Sequence, residues 1–210
     1  MIQPDLDSEE YVEETVAAYD LAAERYARRY AEVDLAEYIE RFLSQLPITT
    51  GPVLDAGCGP GRDLVRFARL GVTAVGLDRS RGMLAIARRN DSTARLVQGD
   101  LRCLPFRDNA FAGTWSCASL LHLPSAGAHE ALREVHRVLQ PGAVLFLSVA
   151  HGAGSEWRAG SVGGRRWFQY YDHPTIEALV RAARFDVTWS AIQPGVVRGT
   201  WINLLARRQS

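Results

Sequence analysis

The sequence predicts an α/β protein built on a doubly wound, mostly parallel sheet with helices on both faces. Three observations carry that expectation. Apolar strand-like runs alternate with helix-like stretches, three successive runs end in an acid, and the first breaks into an alternating glycine turn, Gly57-Cys58-Gly59-Pro60-Gly61. Parallel neighbours joined through a helix need right-handed crossovers, which distribute helices over both faces of the sheet.

The elements follow in order. Val12, Val16, Tyr19, Ala23, Tyr26, Tyr30 and Val33 recur in alternating steps of four and three, one apolar stripe on a first helix. Leu35, Ile39, Phe42 and Leu46 mark a second helix that stops before Pro47. Strands are expected at 52–56, 73–77, 94–98, 111–117 and 143–149, and helices at 61–70, 80–90 and 127–139. Residues 151–173 read as a loop rich in glycine and aromatics, followed by a helix from Pro174 to Arg184. Phe185–Gln193 and Gly199–Arg208 then form a closing hairpin. Ser80 is placed to cap its helix.

Composition narrows the function. At 210 residues the chain can bury roughly 70% of its unfolded surface, enough for one three-layer domain. Basic and acidic residues number 24 each, for no net charge, so neither nucleic acid nor an anionic membrane is an expected partner. Met1–Glu10 lacks a basic start followed by an apolar stretch, and no run approaches a bilayer span, so a cytoplasmic location is expected. Cys58, Cys103 and Cys117 lack metal spacing and are read as free thiols.

The chemistry begins at Val53–Asp63, VLDAGCGPGRD. Alternating glycines let backbone approach a ligand where a Cβ would collide. A dinucleotide loop spaces its glycines differently and lays an anionic pyrophosphate on the next helix. Asp55 would repel that pyrophosphate and attract a cationic amine. S-adenosylmethionine carries such an amine and no phosphate. Asp78, ending the second strand, is placed to accept ribose hydroxyls. Asp100, ending the third, is placed for an adenine amino group, with the Leu101 amide beside it for a ring nitrogen.

The pieces VLDAGCGPGRD, GLDRSRGML, QGDLRCLPF, SLLHLP and LREVHRVLQPGAVLFLS occur in that order. Together they resemble the class I S-adenosylmethionine-dependent methyltransferases, and within them the type 11 small-molecule group, over roughly Gly51 to Ala150. The resemblance implies a Rossmann-like sheet of seven strands with the last antiparallel, and S-adenosyl-L-methionine as cofactor. It implies a cofactor-binding set of Tyr19, Tyr26, Asp55, Gly57, Cys58, Gly59, Gly61, Asp78, Arg79, Met83, Asp100, Leu101 and Cys117, with Met83 against the adenine and Cys58 a small loop residue. Ala112 departs from the acid the family carries there and is read as the loss of a surface or capping contact.

Methyl transfer requires alignment and exclusion of water more than proton chemistry. His122, after the fourth strand, is the candidate general base, should the acceptor carry a proton. His151 is a weaker candidate, and His136 reads as helix surface. Trp157, Phe168, Tyr170 and Tyr171, with His151, are candidate acceptor contacts on a lid that Gly152, Gly154, Gly160, Gly163 and Gly164 would let move. Arg158, Arg165 and Arg166 read as solvated charge or as ligands for an acidic group. No Asx-Pro-Pro-aromatic motif follows the fourth strand, no Pro-Cys nucleophile is present, and no acidic metal ligand ends that strand. A small-molecule acceptor and no metal are therefore expected. The domain plan is single, 1–210, with a helical cap (1–47), a cofactor core (48–150), a covering segment (151–173) and a closing helix and hairpin (174–210). A monomer or homodimer is expected. A nicotinamide-dependent oxidoreductase and a non-catalytic cofactor-binding protein are the competing readings.

Overall fold

A computed structural model describes residues 9–47, 51–91, 93–159, 164–195 and 199–210. Two helices, α1 (Glu10–Tyr30) and α2 (Ala36–Ser44), precede the sheet. The chain then runs β1 (Val53–Ala56), α3 (Arg62–Arg69), β2 (Ala74–Asp78), α4 (Arg81–Asn90), β3 (Arg95–Gln98) and β4 (Phe111–Cys117). A short 3-10 turn, Leu120–His122, leads into α5 (Ser125–Val138) and β5 (Leu139–Ala150). After β6 (Ser155–Ala159) and β7 (Arg165–Gln169) come α6 (His173–Ala182), β8 (Phe185–Pro194) and β9 (Thr200–Arg208).

Seven strands form one sheet in the order β3-β2-β1-β4-β5-β9-β8. The pairs among β3, β2, β1, β4 and β5 are parallel, whereas β9 runs antiparallel to both β5 and β8. The strand order reverses at β1 and β4, so the loops after these strands diverge and open a crevice at their carboxyl ends.

Alternation along β5 explains why helices cover both faces. Leu145, Leu147 and Val149 join the cluster of Leu132 and Val135 from α5 and Ile176 and Val180 from α6. Val144 and Phe146 point the other way, to Ile39 and Phe42 of α2 and Phe67 of α3. At the centre of that second layer, Trp115 stacks on Phe146 with ring centroids 3.9 Å apart. The period-two pattern buried on both sides marks a central parallel strand.

Five local expectations are corrected. The strand predicted at 143–149 begins at Leu139, directly after a helix that starts at Ser125, because fully buried Leu139 pairs with Phe111. Residues 151–173 are not simply a loop: β6 and β7 form an antiparallel hairpin. Its Trp157 and Trp167 pair across the strands and pack on Tyr11 of α1. The first helix ends at Tyr30, leaving Val33 to pack with the α2 layer. Ala112 is buried, with its N–H bonded to the Pro52 carbonyl, so its side chain replaces no surface contact. His136 packs edge-on against Phe185 instead of standing free on the helix surface. Gly160 and Gly163 lie outside the described residues.

Candidate active site

The glycine turn sets the geometry. Gly57, Gly59 and Gly61 all adopt positive φ, at 87°, 53° and 80°, a region open to glycine at little steric cost. Each has a different use. A Cβ on Gly57 would lie 2.3 Å from the Ser119 Cβ, and one on Gly61 2.9 Å from the Ala87 Cβ, whereas one on Gly59 would project into open space. The outer two glycines therefore allow close packing, and Gly59 leaves room for a ligand. Ser119 locks the turn to the segment after β4 by donating to the Ala56 carbonyl at 2.7 Å.

Asp78 ties the same turn to α4. Its Oδ2 accepts the Gly59 N–H and its Oδ1 the Ser80 N–H, both at 2.8 Å. Burial pushes the Asp78 carboxyl up, while N–H groups of Ser80, Gly59 and Arg79 pull it back. Ser80 caps α4 as expected, accepting the Met83 N–H. Asp20 of α1 reaches the same corner, accepting the Ser80 hydroxyl and the Gly82 N–H. The first helix is thus clamped over the start of α4, with Tyr19, Tyr26 and Ala23 packed on Met83 and Ile86.

Beneath α1 a cleft opens at the carboxyl ends of β1, β2 and β4. Gly57, Gly59, Asp78, Arg79, Met83, Asp100, Leu101 and Cys117 line it, as do Tyr19, Tyr26 and His122. Asp100 is held by Arg102 and Arg79; burial raises its carboxyl, but those cations outweigh it and leave it below the usual range.

Three expected members stand elsewhere. Cys58 is buried and outside the lining, its sulfur close to Gly76, and burial pushes its thiol well up, which suits packing and not reaction. Gly61 faces α4. Asp55 sits behind the turn, 2% exposed, and its Oδ2 has no hydrogen-bond partner. Burial first, then neighbouring Asp63, pushes the Asp55 carboxyl well above the usual range.

Tyr19, Tyr26, Cys117, Ala118 and His122 also border a second chamber, so the two spaces meet at these residues. His122 accepts or donates at both ring nitrogens: Nε2 lies 2.6 Å from the Tyr19 hydroxyl and Nδ1 2.7 Å from the Trp167 carbonyl. Burial holds its pKa down at about 4. Cys117 is half-buried, and burial pushes its thiol up to about 12. Phe168 lines the second chamber, but His151, Trp157, Tyr170 and Tyr171 do not. His151 bridges to Tyr171, Trp157 stacks on Tyr11, and Tyr170 donates to Glu156, so each is engaged in building the hairpin. Arg165 pairs with Glu14 on the outside.

Several lining residues carried no usable sequence signal. Ala118 holds φ at 59°, where a Cβ is strained, at the junction of the two chambers. Arg62, Tyr30 and Asn203 come to the second chamber from three different elements. Arg62 is bidentate to Asp63.

A family model described as a methyltransferase domain matches residues 53–142, and the chain belongs to the S-adenosylmethionine-dependent methyltransferases, with S-adenosyl-L-methionine as cofactor. Among its relatives is the malonyl-[acyl-carrier protein] O-methyltransferase of Pectobacterium atrosepticum. The two are 32% identical over 184 residues, which cover 84% of this chain and 71% of that protein. The enzyme of that name from Buchnera aphidicola is 32% identical over 138 residues, 62% of this chain and 55% of the relative. The chain thus spans between about half and 71% of the curated relatives it matches. The fold is shared with the 1,6-didemethyltoxoflavin-N1-methyltransferase of Burkholderia thailandensis, solved with 1,6-didemethyltoxoflavin and S-adenosylhomocysteine bound. That match has a TM-score of 0.74 and 23% identity, and covers 100% of this chain and 94% of the other. Among the described residues no helix is long and apolar enough to cross a membrane.

Proposed function

We propose that this methyltransferase acts on a small-molecule acceptor by direct in-line transfer without a metal. The observation that carries the proposal is the meeting of two chambers at Tyr19, Tyr26, Cys117, Ala118 and His122: one is built on the glycine turn and the strand-end acids, the other on aromatics and arginines. The donor set of the first fits the cofactor. Asp78 is placed for ribose hydroxyls, Asp100 and the Leu101 amide for the adenine edge, Met83 for its face, and Gly57 and Gly59 for the close approach of the methionyl arm. Asp55, buried behind the turn with one unpartnered oxygen, is held toward the neutral acid by burial, and an ammonium group beside it would favour its ionised form. Cys58 and Gly61 support the turn from behind, and Arg79 holds Asp100.

When bound, the cofactor supplies an activated methyl on a sulfonium. The chain's own residues need only align the acceptor and exclude water. Tyr19 and Tyr26 close over the junction from α1, and Phe168 closes it from β7. His122 is read here as a positioning residue, because the Nε2 lone pair that a base would use already accepts the Tyr19 hydroxyl. The plan of one working domain, with cap, core, covering hairpin and closing hairpin, belongs to the same proposal.

The test is transfer of labelled methyl from S-adenosylmethionine into an extract of the source cells, with and without macromolecules. Label in the small-metabolite fraction is expected and gives the acceptor by mass. Label confined to protein or nucleic acid would overturn the small-molecule reading.

A further inference from the structure

Arg166 of β7 is a buried cation. It is 7% exposed and lines the second chamber. It forms no ion pair among the described residues. Its Nη1 donates to the neutral Tyr19 hydroxyl at 3.1 Å, and its Nε has no hydrogen-bond partner. A buried guanidinium without a counter-charge is strongly unfavourable, and such groups are normally paired.

The hairpin makes the imbalance larger. Arg158 of β6 lies directly opposite Arg166 of β7 in the antiparallel register. Like charges facing across a strand pair repel. Both guanidinium groups lie over the ring of Phe168, at 5.1 and 5.6 Å from its centroid. Arg158 has one carboxylate contact, to Glu156 at 3.6 Å on the exposed side. The chamber itself is lined by four arginines, Arg29, Arg62, Arg158 and Arg166, and by no Asp or Glu among the described residues. Arg62 is engaged by Asp63, and Arg29 lies over Tyr30. Arg158 has Glu156 and Arg29 is exposed, so the buried charge left without a carboxylate is that of Arg166.

We infer that the acceptor is an acid whose anionic group seats on Arg166, with Arg158 closing on it from the opposite strand. This rests on the small-molecule methyltransferase reading and names the substrate class for it. A carboxylate or a similar planar anion would take the Nη hydrogens that Tyr19 does not use, in the fork geometry that arginine favours. The rest of the acceptor would lie against Phe168, Tyr38 and Trp201, which line the same chamber. Because Arg166 also donates to Tyr19, and Tyr19 borders the cofactor cleft, the anion would be anchored one residue from the junction of the two chambers. The anion thereby fixes the acceptor's distance and orientation relative to the methyl donor.

The experiment fractionates the small-metabolite extract on an anion exchanger and supplies each fraction, with labelled S-adenosylmethionine, to the intact protein. The acceptor is expected in the retained fraction, and acceptor activity in the flow-through would overturn the inference. Label that appears only when macromolecules are restored would move the anion onto a carrier and overturn the small-molecule acid. With the purified acceptor, Arg166→Gln is expected to raise KM by about ten- to a hundredfold, the loss of a charge-assisted contact, and Arg166→Lys by less. Titration with S-adenosylhomocysteine separates the two proposals. Retained binding by Arg166→Gln with an unchanged KM would sink the anion site alone, whereas no binding by the wild-type protein would sink the underlying reading.

Discussion

The Tyr19 hydroxyl on α1 lies 2.6 Å from Nε2 of His122, and this contact fixes every proton in a four-group chain. The Trp167 carbonyl only accepts, so Nδ1 of His122 must donate to it. The imidazole is held neutral by burial, so Nε2 is an acceptor and Tyr19 donates. The lone pairs of the Tyr19 oxygen are then free for the Arg166 N–H. The cap helix, the segment after β4 and the hairpin are joined through one polar line at the junction of the two chambers.

Stability should therefore report on His122. Its folded pKa of about 4 lies below the ordinary value of about 6.5, so the unfolded chain takes up the proton first. The contribution is complete above about pH 6.5 and is lost as pH falls toward about 4, at up to roughly 1.4 kcal/mol per unit. Thermal unfolding across this window should fall more steeply for wild type than for His122→Gln. Parallel profiles would show that the imidazole does not contribute.

Gly57→Ala and Gly59→Ala should separate folding from binding. The first forces a Cβ 2.3 Å from that of Ser119 at φ 87° and should cost more than about 2 kcal/mol of stability. The second meets nothing within 4 Å, so only the left-handed strain of about 1 kcal/mol applies. Its Cβ nevertheless points into the ligand space, and S-adenosylhomocysteine affinity should drop by about tenfold or more. Chemical denaturation and calorimetric titration of both variants read the two effects. Equal stability losses would remove the distinction.

Asp78→Asn should weaken both properties. The new amide group would face either the Gly59 or the Ser80 N–H, donor against donor, where Asp78 now accepts both at 2.8 Å. A stability loss of about 1–3 kcal/mol is expected, together with a fall in S-adenosylhomocysteine affinity. Unchanged affinity would remove Asp78 from the ribose assignment.

Asp63→Ala should be the most damaging of these variants. This buried carboxylate accepts the Trp115 indole N–H at 3.1 Å, two Arg62 N–H groups at 2.8 Å each, and an Arg66 N–H at 3.2 Å. Its removal leaves a largely buried guanidinium without its partner, a loss of about 3–5 kcal/mol. The midpoint of urea unfolding measures it, and a shift worth less than about 1 kcal/mol would show that the site relaxes.

The sheet was legible in the sequence because its information is local. Strand-end acids, the glycine turn and period-two apolar runs depend on neighbours within a few residues, so Asp78, Met83 and Ser80 were assigned where they stand. The covering segment was not legible. Trp157 and Trp167 form a strand pair only because Tyr11, far away on α1, gives their indoles a surface to pack against, and glycine-rich sequence around them reads as loop.

What the sequence alone determined is the alternating α/β order, the glycine turn and the acids at or near the ends of β1, β2 and β3. Tertiary structure alone decided which of those groups reach the ligand space: Asp55, Cys58 and Gly61 pack behind the turn while Gly59 faces the cleft. It also decided that Arg166 is buried without a counter-charge while its neighbour Arg165 pairs with Glu14 outside. The reason is physical. Backbone conformation follows from adjacent residues, but burial and charge compensation follow from which distant elements close over a side chain, and no spacing along the chain encodes that.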